Sequence, residues 1–157
     1  MRAVQASLIE LRKIEIFVPG EPVTEGSLTS FVHPKTRRVV THHDNERELK
    51  QWRGRIGTYA KLRWQGPPTV NPVKLSALFQ LPRVVMTSAG PRRRSGRLPA
   101  RHGTGDLDKL VRSIGDALAG IVYENDSQIC SFGETEKIFA DDGMAVGVAI
   151  HIEELEE

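Results

Sequence analysis

A single cysteine, Cys130, stands among the 157 residues, so no disulfide can form within the chain. That fits a reducing compartment such as the cytoplasm better than a secreted framework. Set in a strand-like run, Cys130 reads as a small buried hydrophobe rather than a nucleophile. No apolar run approaches the roughly 20 residues needed to span a bilayer, and the opening MRAVQASLIELRK lacks the continuous apolar stretch of a secretory signal. A phosphate loop of the GxxxxGKS/T type is missing, which argues against nucleotide hydrolysis. His42 and His43 have no Cys or His partner at zinc-site spacing, although they could touch phosphate. No Ser/His or Cys/His arrangement, no internal repeat and no second domain stand out. Residues 14–157 therefore read as one domain, preceded by an extension over residues 1–13.

Acidic residues are absent from one stretch in particular. Between residues 83 and 101 there are six arginines and no Asp or Glu. The net charge of +2 hides this asymmetry. Residues 1–123 carry 21 Lys+Arg against 10 Asp+Glu, a net +11, whereas residues 124–157 carry 1 against 10, a net −9. Charge segregated in this way points to a surface for a polyanion on part of the molecule. Arg92, Arg93, Arg94, Arg97 and Arg101 are the candidate contacts, because the guanidinium fork suits phosphate oxygens. With its Pro and Gly residues and no apolar periodicity, the 83–105 segment reads as a flexible basic loop.

The remaining pattern is that of an α/β chain. Ile14–Val18 reads as a strand stopped by Pro19-Gly20, and Glu21–Arg38 as a long loop or irregular hairpin. Apolar residues spaced by three and four predict a helix over Asn45–Trp64, with Arg53 falling in the same stripe and Gly54 and Gly57 weakening its interior. Val73–Leu81 reads as a strand. A helix with Leu107, Leu110, Val111, Ile114 and Leu118 on one face follows. Strands are expected from Ser127 toward Ile138 and over Met144–Ile152, the latter from its alternation.

The segment GDLDKLVRSIGDALAGIVYENDSQ, residues 105–128, carries the chemistry. Asp106 and Asp108 stand at the mouth of the second helix, and a Gly-containing turn delivers Asp126 just before the next strand. Three carboxylates at these spacings can converge on a hard divalent cation such as Mg²⁺, which prefers oxygen ligands. A helix N-cap explains Asp106, and the helix dipole favours Asp108, so the spacing alone leaves both readings open. Arg112 lies four residues after Asp108 and Asp116 four further on, all along one side. They could form a surface ion-pair ladder, or Arg112 could sit beside a metal-bound phosphate and offset its charge. Asp116, farther from the mouth, is more simply structural.

That segment resembles the core motif of RusA-type Holliday junction resolvases: an acidic pair at a helix start, then DAL-x-G, then D-x-Q before a strand. IFVPGEPVTEGS resembles the family's first strand and loop, and VKLSALFQLPR its second strand. The resemblance implies a small homodimeric, Mg²⁺-dependent endonuclease that cuts four-way DNA junctions by paired nicks in recombination and repair, with Mn²⁺ a possible substitute. It maps the metal-binding carboxylates onto Asp106, Asp108 and Asp126, an important lysine onto Arg112, and a further aspartate onto Asp116. Lys137 falls where the family often has a lysine. Two positions depart from the pattern: Lys109 replaces the usual Asn, and Arg112 the usual Lys. Arginine keeps the charge but cannot readily shuttle a proton, and an offset of three residues turns Lys109 toward another face of the mouth. The expected fold is α+β, a small mixed sheet packed with two main helices. Another metal-dependent nuclease acting on branched or flap DNA, or a catalytically weak junction-binding protein, would share most of these features.

Overall fold

A computed structural model describes residues 10–26, 28–43, 45–101 and 103–157, with side chains at all of these except 28, 29 and 41–43. The extension through residue 9 and the side chains of His42 and His43 lie outside the described residues. In chain order the elements are β1 (Lys13–Pro19), β2 (Leu28–Val32), β3 (Val39–His43), α1 (Glu46–Arg63), β4 (Val73–Leu81), β5 (Val84–Thr87), β6 (Gly90–Arg93), α2 (Leu107–Leu118), a 3-10 turn at Asp126–Gln128, β7 (Ile129–Phe139) and β8 (Gly147–Glu154). None of the helices is long and apolar enough to cross a membrane among the described residues.

The central sheet has four strands in the order β1-β8-β4-β7. β8 is antiparallel to both β1 and β4, and β4 is parallel to β7. A parallel neighbour requires a crossover, and α2 supplies it between β4 and β7. In β4 the residues Val73, Leu75, Ala77, Phe79 and Leu81 are buried and the intervening ones half-buried, so one face of the sheet holds the core. Against that face pack Trp52, Ile56 and Ala60 of α1 with Leu110, Ile114 and Leu118 of α2. Gly57, which weakens α1 as an isolated helix, sits at the helix contact. A Cβ there would stand 3.2 Å from Ile121 Cδ1, so the missing side chain lets the two helices approach.

Two sequence readings change. Residues 83–105 are not all loop, since β5 and β6 pair as a hairpin from Val84↔Arg93 to Thr87↔Gly90, turning at Gly90 with φ 103°. A pairing only four residues long is too short to leave a periodic signal. Of the two readings of residues 21–38 the hairpin holds, with β2 pairing to β3, whose strand runs on past residue 38. Cys130 is exposed, not buried. β7 is an edge strand, and the β4–β7 register slips between Val73↔Ile129 and Lys74↔Ser131, which leaves Cys130 in the bulge. Arg12 pairs with Glu154 at 3.0 Å and stacks 4.2 Å over the Trp64 ring.

Candidate active site and nucleic-acid interface

The mouth of α2 is assembled from three directions. Gly105 enters the helix with φ 81°, and a Cβ there would clash with Thr24 Cγ2 at 2.7 Å, so the loop, the strand leaving β1 and α2 meet closely. Lys137, reaching across from β7, donates from Nζ to Gly105 O at 2.6 Å and to Thr104 Oγ1 at 3.2 Å. The backbone N–H of Glu25 donates to Lys109 O at 3.0 Å, fastening the segment after β1 to the first turn of α2.

Asp106 occupies the N-cap position, yet its carboxylate accepts no capping hydrogen bond. It is 71% exposed and stands 3.6 Å from Lys109 Nζ. The capping explanation for this residue therefore does not hold. Asp106, Lys109, Lys137 and Arg101 line one shallow hollow. The offset of three residues that turns Lys109 from Arg112 thus brings it to Asp106.

Asp108 and Arg112 are exposed on the other side of the helix. Asp126 lies there as well, farther along: a Cβ on Gly115 would be 3.9 Å from the Cβ of Asp126. At about 1.5 Å of rise per residue, Gly115 is roughly 10 Å beyond Asp108 along the axis. Among the described residues no three His, Cys, Asp or Glu side chains are grouped to hold a metal ion. The reason is helical: residues two apart, at about 100° per residue, point to opposite sides. The donor chemistry nevertheless suits a hard cation, since all three carboxylates are exposed and Asp108 and Asp126 enter no ion pair among the described residues.

The Asp108–Arg112–Asp116 ladder does not form either. Asp116 pairs instead with Arg53 of α1, Oδ2 to Nη2 at 2.8 Å, and the same Nη2 also holds Glu25. Burial pushes the Asp116 carboxyl above its ordinary value, with Glu25 and Asp126 adding to the rise while Arg53 and, more weakly, Arg112 oppose it. Tyr123 closes the floor beneath Asp126. It is fully buried, its hydroxyl donates to Gly115 O at 2.8 Å, and burial followed by the charges of Asp126 and Asp116 holds its proton far above the usual range. Arg53 and Glu25 do not stand out as site residues in the sequence. The available signal is an arginine inside the apolar stripe of α1, where a charge needs a partner.

Arg53→Met should lower stability by about 1–3 kcal/mol, because Asp116 and Glu25 are left facing each other without their shared cation. Asp116, whose carboxyl burial already pushes up, would lose the cation that opposes the rise, so the loss should be largest at neutral pH and shrink as the pH falls and that carboxyl protonates. Thermal melts of the two proteins across that range check the sign.

The basic segment is partly self-satisfied. Arg83 is a structural staple, bonding Ala140 O, Arg94 O, Gly96 O and Asp141. Arg93 meets Asp142 through two bonds at 3.1 and 3.2 Å, Arg97 meets Glu136 at 2.7 Å, and Arg94 lies 5.5 Å over the Phe139 ring. Arg92 and Arg101 enter no ion pair among the described residues. Arg92, Arg93, Arg94 and Arg101 share one groove, and Arg101 also lines the hollow at Asp106, so the cationic path runs up to the helix mouth.

A mixed sheet carries an exposed acidic helix mouth, with a groove of arginines running into it. The family model for endodeoxyribonuclease RusA matches residues 19–153, and the chain belongs to that family of DNA-cutting enzymes. No curated protein matches the chain significantly.

Proposed function

We propose that the protein is a Mg²⁺-dependent, structure-specific endonuclease that resolves four-way DNA junctions by paired nicks, in recombination and repair. The observation that carries this reading is the uncapped, exposed Asp106 at the α2 mouth, flanked by Lys109, Lys137 and Arg101, in a chain of the RusA family. Asp106, Asp108 and Asp126 would hold the cation, with Mn²⁺ a possible substitute. Bound there, it would supply Lewis-acid stabilisation of the phosphate and a more acidic water. The chain's own side chains do the rest. Arg92, Arg94 and Arg101 seat the DNA backbone, with Arg93 and Arg97 adding less because each already faces an acid. Lys109 and Lys137 neutralise phosphate on one side of the mouth, and Arg112 does so on the other. A two-fold homodimer would present two such sites to the two opposed strands of a junction.

Arg112 and Lys109, standing where the family usually has Lys and Asn, favour a second reading, a junction-binding protein of weak activity. Incubating the protein with a labelled four-way junction, a flap and a linear duplex, each with Mg²⁺ and with EDTA, tests both. Paired nicks on the junction alone, lost in EDTA, support the resolvase. A metal-dependent shift without nicks supports the binder, and cleavage of flap and junction alike points to a broader nuclease.

The basic groove gives a graded expectation. Arg92→Ala with Arg101→Ala should reduce the slope of log K against log salt by roughly 1.8, about 0.9 for each phosphate no longer neutralised. Arg93→Ala with Arg97→Ala should change it less, because those cations already neutralise Asp142 and Glu136. Binding titrations over a range of salt concentrations measure both.

A further inference from the structure

The β2–β3 ribbon has no part in the central sheet, and its composition differs from a mere connection. From Gly26 to His43 it contains Lys35, Arg37 and Arg38 and no acidic residue. Unlike Arg93 and Arg97 of the basic segment, none of these three cations enters an ion pair among the described residues. The two strands also leave apolar side chains in water: Val32 is 57% exposed and its cross-strand partner Val39 69%. A ribbon that is apolar on its flanks and cationic at its tip is costly to leave in solvent and complementary to a polyanion with sugar surfaces.

The tip is held in one shape. His33 Nδ1 accepts from the backbone N–H groups of Lys35 and Thr36, both at 3.3 Å. Arg37 N donates to His33 O at 2.9 Å and His33 N to Arg38 O at 2.8 Å. This closes a turn in which Arg37 has φ 57°, the only positive φ outside glycine among the described residues. Glycine adopts that conformation without strain and arginine does not. A strained position carrying a long cation marks a place where the side chain is needed.

The roots of the ribbon are tied to the active-site helix. Before β2, Glu25 N donates to Lys109 O at 3.0 Å, and after β3, Asn45 Nδ2 donates to Thr24 O at 3.0 Å. Both ends therefore meet at the mouth of α2. Five residues per strand at about 3.3 Å each give a reach of roughly 17 Å beyond that anchor, and a two-stranded ribbon is of a size to enter a DNA groove.

We infer that the β2–β3 hairpin is a second DNA-binding arm, separate from the arginine groove. It grips a duplex arm beside the cleavage point, with Lys35, Arg37 and Arg38 on phosphates and Val32 and Val39 against the sugars. The inference rests on the nuclease reading, since it places a DNA contact relative to that site.

The test is DNA binding by the full chain in EDTA, on a labelled four-way junction, across a salt series. Arg37→Gly alone, and the triple variant Lys35→Gln, Arg37→Gly, Arg38→Gln, are compared with the unaltered protein. The slope of log K against log salt should fall by about 0.9 for each cation that no longer meets a phosphate, while the melting temperature stays the same or rises, because Gly relieves the turn. Unchanged slopes in both variants overturn the arm and leave the nuclease reading standing. Failure of the unaltered protein to bind any DNA removes that reading and the arm together. Should the triple variant melt early, Arg37→Gly decides, because its backbone is the better suited of the two. If Val32→Ser with Val39→Ser converts a dimer to a monomer in sedimentation, the ribbon is a subunit contact and the inference fails.

Discussion

Replacing Asp106, Asp108 or Asp126 with Asn, one at a time, should reduce junction cleavage by at least about 10³-fold and leave junction binding intact or slightly tighter. Each side chain is exposed and none stabilises the core, since Asp106 caps no backbone N–H and all three lie at the surface. The fold should therefore survive each change, with melting temperatures close to the unaltered protein. Removal of one hard carboxylate oxygen donor weakens the hold on a divalent cation whose Lewis acidity is worth several kcal/mol in the transition state, and about 4 kcal/mol corresponds to 10³ in rate. Binding moves the other way, because an anion beside phosphate is repulsive. Single-turnover cleavage, junction binding in EDTA and Mg²⁺ titration of each variant are the measurements. Full cleavage by two of the three would dissolve the proposed ligand set. Normal cleavage by Asp126→Asn alone would identify that carboxylate as a bystander.

The second large effect concerns Arg112, exposed on the side of α2 that carries Asp108. Asp116 belongs to Arg53, and Arg112 enters no ion pair among the described residues, acting on Asp116 only weakly and from a distance. Arg112→Ala should then lower the single-turnover rate by roughly 10²–10³-fold, the loss of one preorganised charge at the transition state. Affinity should change far less, since the charge acts mainly on the transition state. Arg112→Lys should keep or raise the rate if charge alone matters. A surface role predicts instead a stability change of about 1 kcal/mol or less and near-normal cleavage. Melts and rates on the same variants separate the two, and near-normal turnover by Arg112→Ala would confine the site to the aspartates.

The elements that position this site are readable in the sequence to within a few residues. Val73–Leu81 is a strand over that span, and α2 follows its apolar stripe from Leu107 to Leu118, because a long periodic run has one burial solution. The two hairpins are harder to see. β5–β6 pairs only four residues, and the described side chains of the β2–β3 ribbon, at residues 30–32, 39 and 40, are all exposed, so burial imposes no alternation on them. Which carboxylates meet is harder still. Spacing along the chain puts Asp106, Asp108 and Asp126 close together, but the direction each side chain takes depends on the helical phase. The Arg53 link joining α1 to Asp116 depends on tertiary packing that no local pattern encodes. The exposure of Cys130 escapes a local reading for a similar reason, since a bulge on an edge strand is decided by the partner strand's register.

The place of β8 in the sheet has a consequence for how the molecule comes into being. β8 follows β1 and β4 in the chain, yet it lies between them, pairing Lys13 with Glu153 on the β1 side. On a ribosome, β1, α1 and β4 emerge with the seam between them open, and α2 with its acidic mouth has only a partial sheet to rest on. Closure waits for residues beyond 146, so loop-closure entropy is met late and in one step. The sheet that α2 rests on is thus continuous only once β8 has joined β1 to β4, and a chain cut short before β8 would leave those two strands unpaired.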